Sequence, residues 1–358
     1  MVQSDFTQVD LVKVIAVNEA KCVNCHACID DCPVKNCNDG RGNSVTINQN
    51  LCIACGACLS ACTHDAQYFI DDFKEFINDI KNGEKIVVIA DGSSATNYPN
   101  RYKNLNGWIK SLGIPAVFDS SFGAELMVMS YVNHIVSDEP KLVISQNCPA
   151  IVSYIEIYKP ELLSFLAPVE SSVLQTAKMI KEYFPKFKHH KIAYISPCAA
   201  RKREFAEAGL VEYNISFVSI NKYFERNKIK LSKYPEIEYD HEPTEKASLI
   251  SSPGGLLRTM ERWMQDIRGK VRIIEGPRII CNYFDNLYDQ VKNQRTPLLI
   301  DCLNCEFGCN QGPLTIAQHH PVDEIEYWIE RRNEDLHEYH RNEAGDERHG
   351  NHSRNTPG

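Results

Sequence analysis

No stretch of the chain is apolar for the roughly 20 residues that a bilayer-spanning helix needs, so no membrane-inserted segment is expected. The opening residues, MVQSDFTQVD, have neither a basic leader nor an apolar core, which argues against a secretory signal. A surplus of positive charge is missing too. The 39 Lys and Arg against 47 Asp and Glu leave a formal charge of −8, which speaks against general nucleic-acid binding. Cysteine is the opposite case: there are 15 in 358 residues, and nine of them lie between Cys22 and Cys62. An odd number of thiols without an export signal does not read as a disulfide framework. Dense, regularly spaced thiols read as metal sites, and they imply a reducing, oxygen-poor, cytoplasmic compartment.

The nine are ordered. Cys22-Val-Asn-Cys25-His-Ala-Cys28-Ile-Asp-Asp-Cys32-Pro33 is one copy of C-x2-C-x2-C-x3-C-P, and Cys52-Ile-Ala-Cys55-Gly-Ala-Cys58-Leu-Ser-Ala-Cys62-Thr63 repeats it thirty residues later without the proline. Two copies of one unit imply a pseudo-two-fold arrangement. Three closely spaced thiolates wrap one face of a cubane, and the fourth, one helical turn on, points to the other cluster. Cys22, Cys25, Cys28 and Cys62 are therefore expected to hold one 4Fe–4S cluster, and Cys52, Cys55, Cys58 and Cys32 a second. Soft thiolates also suit zinc, but zinc sites do not use this crossed double quartet. Cys37 is left over and reads as a spare loop thiol. Short strands are expected at 12–17, 45–47 and 67–70.

Beyond residue 70 the pattern alternates. A helix or linker is expected at 71–81. Apolar β-branched runs at 85–90, 142–144, 192–195, 215–220, 247–250, 271–274 and 297–300 read as strands, and helical periodicity falls at 152–158, 173–183 and 256–267. Alternating strands and helices predict α/β layers with largely parallel sheets. Val322–Tyr339 reads as a terminal helix, and the chain after Ala344 as disordered. Four cysteines stand at strand ends: Cys148 after Lys-Leu-Val-Ile-Ser-Gln-Asn, Cys198 after Lys-Ile-Ala-Tyr-Ile-Ser-Pro, and Cys305 and Cys309 after Pro-Leu-Leu-Ile. Ligands of open α/β sheets gather at such ends. Four thiols there, most beside Pro or Gly, predict one all-thiolate site; the competing reading is buried structural cysteines, which are common in cores.

Asn147-Cys148-Pro149, Ser196-Pro197-Cys198-Ala-Ala-Arg201-Lys202-Arg203-Glu204 and Cys305-x2-Gly308-Cys309-x2-Gly312 resemble the three signature segments of FeFe-hydrogenases. Val117-Phe-Asp119-Ser-Ser-Phe122-Gly-Ala124-Glu125-Leu126, Glu156-x3-Pro160-Glu161-Leu162-Leu163 and Ser252-Pro253-Gly254-Gly255-Leu256 resemble the family's segments between them, in the same order. The resemblance implies an α+β two-cluster ferredoxin domain over 1–72, an α/β two-lobed H-cluster domain over 73–320, and a C-terminal helix and tail over 321–358. It implies three 4Fe–4S clusters. The third would be held by Cys148, Cys198, Cys305 and Cys309, with Cys309 bridging to a diiron centre that carries CO, cyanide and a dithiolate (the H-cluster). The expected partners are H2 and protons, a ferredoxin or other electron-transfer protein, maturation proteins and a signalling partner, with no nucleic acid and no membrane.

The departures from the family pattern cluster. The family's proton-donating Cys before the first ligand is Asn147 here, which has no pKa near neutrality. Its onward relay falls on Tyr131, His134 and Ala167. A cyanide-facing Lys becomes Arg201, which keeps the charge in a planar fork. Two methionines near the diiron centre become Ser196 and Leu303. Cys302 and Cys281 read as core thiols. The substitutions resemble the family's sensory branches. The expected activity is hydrogen turnover at a low rate, with use as an H2 sensor; the alternative is a non-catalytic iron–sulfur scaffold or electron carrier without the diiron centre.

Overall fold

The computed structural model describes residues 10–244 and 247–350. The N-terminal lobe contains β1 (Ile15–Val17), α1 (Ala27–Asp30), β2 (Asn38–Asp39), β3 (Thr46–Ile47), α2 (Ala57–Ala61) and β4 (Gln67–Phe69). β1 pairs antiparallel with β4, and β2 pairs antiparallel with β3. The sequence repeat is also a backbone repeat. The residues on either side of the middle cysteine adopt left-handed φ in both copies, Asn24 (52°) and His26 (67°) in the first, Ala54 (56°) and Gly56 (83°) in the second. Each loop then runs into a one-turn helix that buries the third cysteine, Cys28 or Cys58.

α3 (Phe73–Lys81) leads into the rest of the chain: β5 (Ile86–Ala90), α4 (Ser94–Asn97), α5 (Tyr102–Ser111), β6 (Val117–Asp119), α6 (Ser121–Asp138), β7 (Val143–Ile144), α7 (Pro149–Tyr158), α8 (Ser172–Tyr183), β8 (Lys191–Ser196), α9 (Arg201–Ala208), β9 (Tyr213–Ser216), α10 (Phe217–Asn227), α11 (Gly255–Met260), β10 (Val271–Glu275), α12 (Pro277–Lys292), β11 (Leu299–Leu303) and α13 (Val322–Gly350). Two parallel sheets result, of order β6-β5-β8-β9 and β10-β11-β7. β5 is buried at every residue, as a central parallel strand covered on both faces must be. One face packs with Trp108, Phe217 and Phe224, the other with Val173, Ala177 and Phe187. The three-stranded sheet shares an apolar cluster with the N-terminal lobe, in which Ile15 and Ile53 join Ile151, Tyr154, Phe284 and Ile300.

Four sequence expectations are corrected. The run 215–220 is not one strand: β9 ends at Ser216, whose side chain accepts from the Ser219 N–H and starts α10. An N-cap of this kind overrides the β-branched composition that follows it. Of the run 247–250, residues 248–250 are turn rather than strand, because the chain there folds back to seat the third motif. Helix 256–267 stops at Met260, and a 3-10 turn over Gln265–Lys270 replaces its end. The terminal helix continues through Gly350 rather than giving way after residue 344; residues 351–358 lie outside the described residues.

Candidate metal centres

In the N-terminal lobe the eight cysteines of the repeat line two cavities. Cys22, Cys25, Cys28 and Cys62 line one cavity of about 300 Å³. Cys32, Cys52, Cys55 and Cys58 line another of about 280 Å³. Two crossed sets of four soft thiolates at C-x2-C-x2-C-x3-C spacing are donor sets that fit cubanes. Cys37 lies in a bend just before β2. It is buried in the wall of the second cavity, with its Sγ 3.4 Å from that of Cys32.

The carboxyl ends of strands from both sheets face a third cavity. β7 delivers Asn147 and Cys148, β8 delivers Pro197 and Cys198, β11 delivers Asn304, Cys305 and Cys309, and β5 delivers Asp91. All four predicted cysteines line its roughly 450 Å³, and so does Cys55 of the second quartet. The third motif is locked to the second and to the residue before the 252–256 segment. Leu314 N–H donates to the Pro197 carbonyl (3.1 Å), and Cys309 N–H donates to the Ser251 carbonyl (2.8 Å). Gly308 has φ 81°, and a Cβ there would stand 2.5 Å from the Ser251 oxygen, so only glycine allows this approach. Burial pushes the Cys198 thiol up to about 12, and burial plus neighbouring thiols push Cys305 and Cys309 up as well. These groups give up their protons to a metal rather than to water.

A second compartment, of about 360 Å³, lies beyond Cys309 and Asn147, which line both spaces. Its walls carry Asp91, Ser120, Ser121, Ser172, Ser248, Ser251, Arg201 and Arg332 beside the apolar Ala124, Ala247 and Ile250. Arg201 bonds the Asn147 carbonyl (2.7 Å) and Glu204 (2.6 Å). The Asn147 side-chain oxygen accepts from Ser172 N–H (3.3 Å) and Oγ (3.4 Å). A main-chain N–H can only donate, so this bond fixes the amide orientation. The Ser251 Oγ is buried without a partner among the described residues. An orphaned hydroxyl, an amide and two guanidiniums suit a polar, anionic occupant.

Arg332 enters from α13. Its guanidinium ion-pairs with Asp119 and donates to Ser121 Oγ (3.3 Å) and the Ser248 carbonyl (3.3 Å). Burial opposes the charge on all three buried arginines. At Arg201 and Arg332 a carboxylate (Glu204, Asp119) outweighs it and holds the group above its ordinary value, whereas at Arg203 burial prevails and pushes the group down.

The structure brings Asn147, Arg201 and the four cysteines together, but not the rest of the predicted set. Ser196 is buried and turns onto Cys198, accepting from its N–H (3.0 Å) and donating to its carbonyl (3.1 Å). Leu303 and Ala167 are core residues. Tyr131 is buried with its hydroxyl accepting from Gln146 N–H (2.9 Å). His134 pairs with Asp138 on α6 (2.7 Å). None of these five lines either compartment. Cys302 is buried against Ser145, and Cys281 beside Tyr154. Sequence reasoning missed Asp91, Tyr194 and Arg332. Asp91 follows a strand in the same way as the cysteines do, and its carboxylate accepts from Tyr194 Oη and Ser93 N–H. For Arg332 no sequence signal exists, because its partner Asp119 is 213 residues away.

The family model described as "Iron only hydrogenase large subunit, C-terminal domain" matches residues 84–313, and that of the "4Fe-4S binding domain" matches 45–68. The chain is 24% identical over 250 residues to iron hydrogenase 1 of Clostridium pasteurianum, covering 57% of this chain and 44% of that protein. It is 28% identical over 137 residues to Protein NAR1 of Arabidopsis thaliana, covering 32% and 28%. It therefore spans less than half the length of these curated relatives. An FeFe-hydrogenase structure from Chlamydomonas reinhardtii superposes with a TM-score of 0.58 at 15% identity, over 73% of this chain and 88% of the other, which shows a shared fold.

Proposed function

From the premise that this chain belongs to the iron-only hydrogenase large-subunit family, we propose that it is a hydrogenase-like oxidoreductase interconverting H2 with protons and electrons at low turnover. Cys309 carries the reading: it is the one of the four cysteines that lines both the cysteine-walled cavity and the polar compartment beyond. A thiolate so placed can hold a cubane and tether a second metal unit. When bound, the diiron centre with its CO, cyanide and dithiolate ligands supplies the hydrogen chemistry.

The chain's own groups do the rest. Cys148, Cys198 and Cys305 complete the cubane's ligand set. Arg201 and the Asn147 amide offer donors to anionic ligands in the polar compartment, and buried walls exclude bulk water. Cys55, in the wall of the four-cysteine cavity, would hold the second ferredoxin-type cluster beside this site, where it would supply electrons. The first cluster, with Cys25 exposed, is where a ferredoxin or other electron-transfer protein docks. Maturation proteins load the diiron unit, and the chain works in the cytoplasm. The domains divide at residues 72 and 320 by function rather than by separate cores.

Low turnover follows from Asn147, which cannot titrate where the family places a proton donor. The loss of one positioned acid costs about 10²–10⁴ in rate. A slow enzyme of this kind suits hydrogen sensing through a signalling partner. A second reading, a scaffold without the diiron centre, is favoured by the same absence of a titratable group at 147. Infrared spectra of anaerobically matured protein separate the two. CO and cyanide bands with about 14 Fe per chain support the hydrogenase reading. No bands with about 12 Fe support the scaffold.

A further inference from the structure

Arg203 belongs to the second signature segment by sequence but faces away from the four-cysteine cavity. It is 4% exposed, and no carboxylate among the described residues ion-pairs with it; Glu207 and Glu156 act on it only at longer range. Its fork donates instead to three carbonyls of the N-terminal lobe: Cys52, Gln49 (2.8 Å) and Val12 (3.4 Å). A buried cation without a counter-charge is costly, and carbonyl dipoles offset only part of that cost. The missing counter-charge has one evident source. Cys52 lines the second quartet's cavity, and a cubane held by four thiolates carries a net negative charge that grows by one on reduction.

We propose that Arg203 is the counter-charge and clamp of the cubane held by Cys32, Cys52, Cys55 and Cys58, a positioning residue that favours its reduced state and fixes it against the four-cysteine site. The proposal rests on the reading of that quartet as a cluster site. α9 makes the clamp rigid. Arg201 and Arg203, two residues apart on one helix, grip Asn147 next to one site and Cys52 at the other. Gly56, next to ligand Cys55, packs against Pro313 of the third motif, where a Cβ would stand 2.4 Å from the ring. Reduction of the cubane adds one electron and makes or breaks no bond, so a fixed positive charge acts on it through the field alone.

The test is an EPR-monitored redox titration of full-length, cluster-loaded protein, with the second cluster's signal assigned by Cys58→Ser. In Arg203→Met, at the potential where the wild-type second cluster is half reduced, its reduced-to-oxidised ratio should fall about tenfold, or about 59 mV for one electron. The first cluster should not move. Arg203→Lys keeps the charge without the fork and should shift the same cluster by less. If Arg203→Met does not fold, Arg203→Gln, which also removes the charge, takes its place: a fall confined to the second cluster supports the proposal. No shift, or an equal shift in both clusters, overturns it. An iron count on wild-type protein that is short by about four per chain, with the first cluster present, would instead overturn the reading of the quartet.

Discussion

Replacing Arg332 by Met should destabilise the protein well beyond what the loss of one side chain from a terminal helix would cost. The Arg332 and Asp119 side chains are 3% and 4% exposed. Removing the guanidinium leaves the Asp119 carboxylate buried, with only the Ser121 N–H (2.9 Å) among the described residues to satisfy it. Breaking a buried pair in this way costs about 3–5 kcal/mol. At roughly 1.3 °C per kcal/mol for a chain of this size, Arg332→Met should lower Tm by about 4–7 °C. Asp119→Asn combined with Arg332→Met removes both charges and should recover most of the loss, since the penalty lies in the orphaned charge rather than in the missing attraction. Scanning calorimetry at matched iron content, with urea midpoints as a check on reversibility, measures both variants. A drop of less than 2 °C in the single variant, or a double variant no better than the single, would refute the claim that α13 is docked through this pair.

Other perturbations test the site from different sides. Asn147→Cys restores a titratable group beside Cys148 and should raise H2 evolution by about tenfold or more; an unchanged rate would place the bottleneck further along the proton route. Gly56→Ala forces a side chain into the Pro313 ring at φ 83° and should slow electron transfer from the ferredoxin-type clusters, read by stopped-flow reduction, while leaving the cysteine-bound iron count unchanged. Burial raises the Asp301 carboxyl to about 6 against its lowering by the Leu257 N–H. A raised acid binds more protons folded than unfolded, so its contribution to stability falls as pH rises from about 4 to about 6 and is flat above. Asp301→Asn should therefore gain on wild type by about 1.4 kcal/mol more at pH 8 than at pH 5, measured by urea denaturation; a pH-independent gap would contradict the shift.

The sequence was most legible where spacing is itself the chemistry. The crossed quartets and the four strand-end cysteines needed only the positions of thiols relative to Pro, Gly and β-branched runs, and the structure assembles them around three cavities. It was less legible where one local signal overrides another, as at Ser216, where a cap turns a β-branched run into α10. It was least legible in the wall of the polar compartment. Matching from flanking segments points to Ser196, Leu303, Tyr131, His134 and Ala167, yet side-chain direction decides which residue of an element meets a cavity, and those five turn elsewhere. Ser196 spends both hydrogen-bonding roles on Cys198, and His134 spends its own on Asp138. Asp91 and Arg332 fill the wall instead, through contacts 100 to 200 residues long in sequence.

That wall is where the hydrogenase and scaffold readings part. A cubane on Cys148, Cys198, Cys305 and Cys309 needs thiolates and an apolar surround; it has no use for a second compartment lined by charged and hydroxyl groups on the far side of one ligand. Water can satisfy the serines there at little cost. Water does not account for two buried guanidiniums brought to one compartment, each needing its own carboxylate, Glu204 or Asp119, to be tolerated. Buried ion pairs are weak as stabilisers and are commonly matched or bettered by packed apolar residues. A scaffold protein free to fill this volume with leucines would gain by doing so, whereas one that must hold an anionic ligand set beside Cys309 would not. The decisive comparison is between Arg201→Met and Arg201→Lys in matured protein. If donors from this wall face cyanide, the cyanide bands shift in Arg201→Met more than in Arg201→Lys while the cubane's EPR signal stays in place; bands insensitive to both changes would mean that the cations serve only the fold.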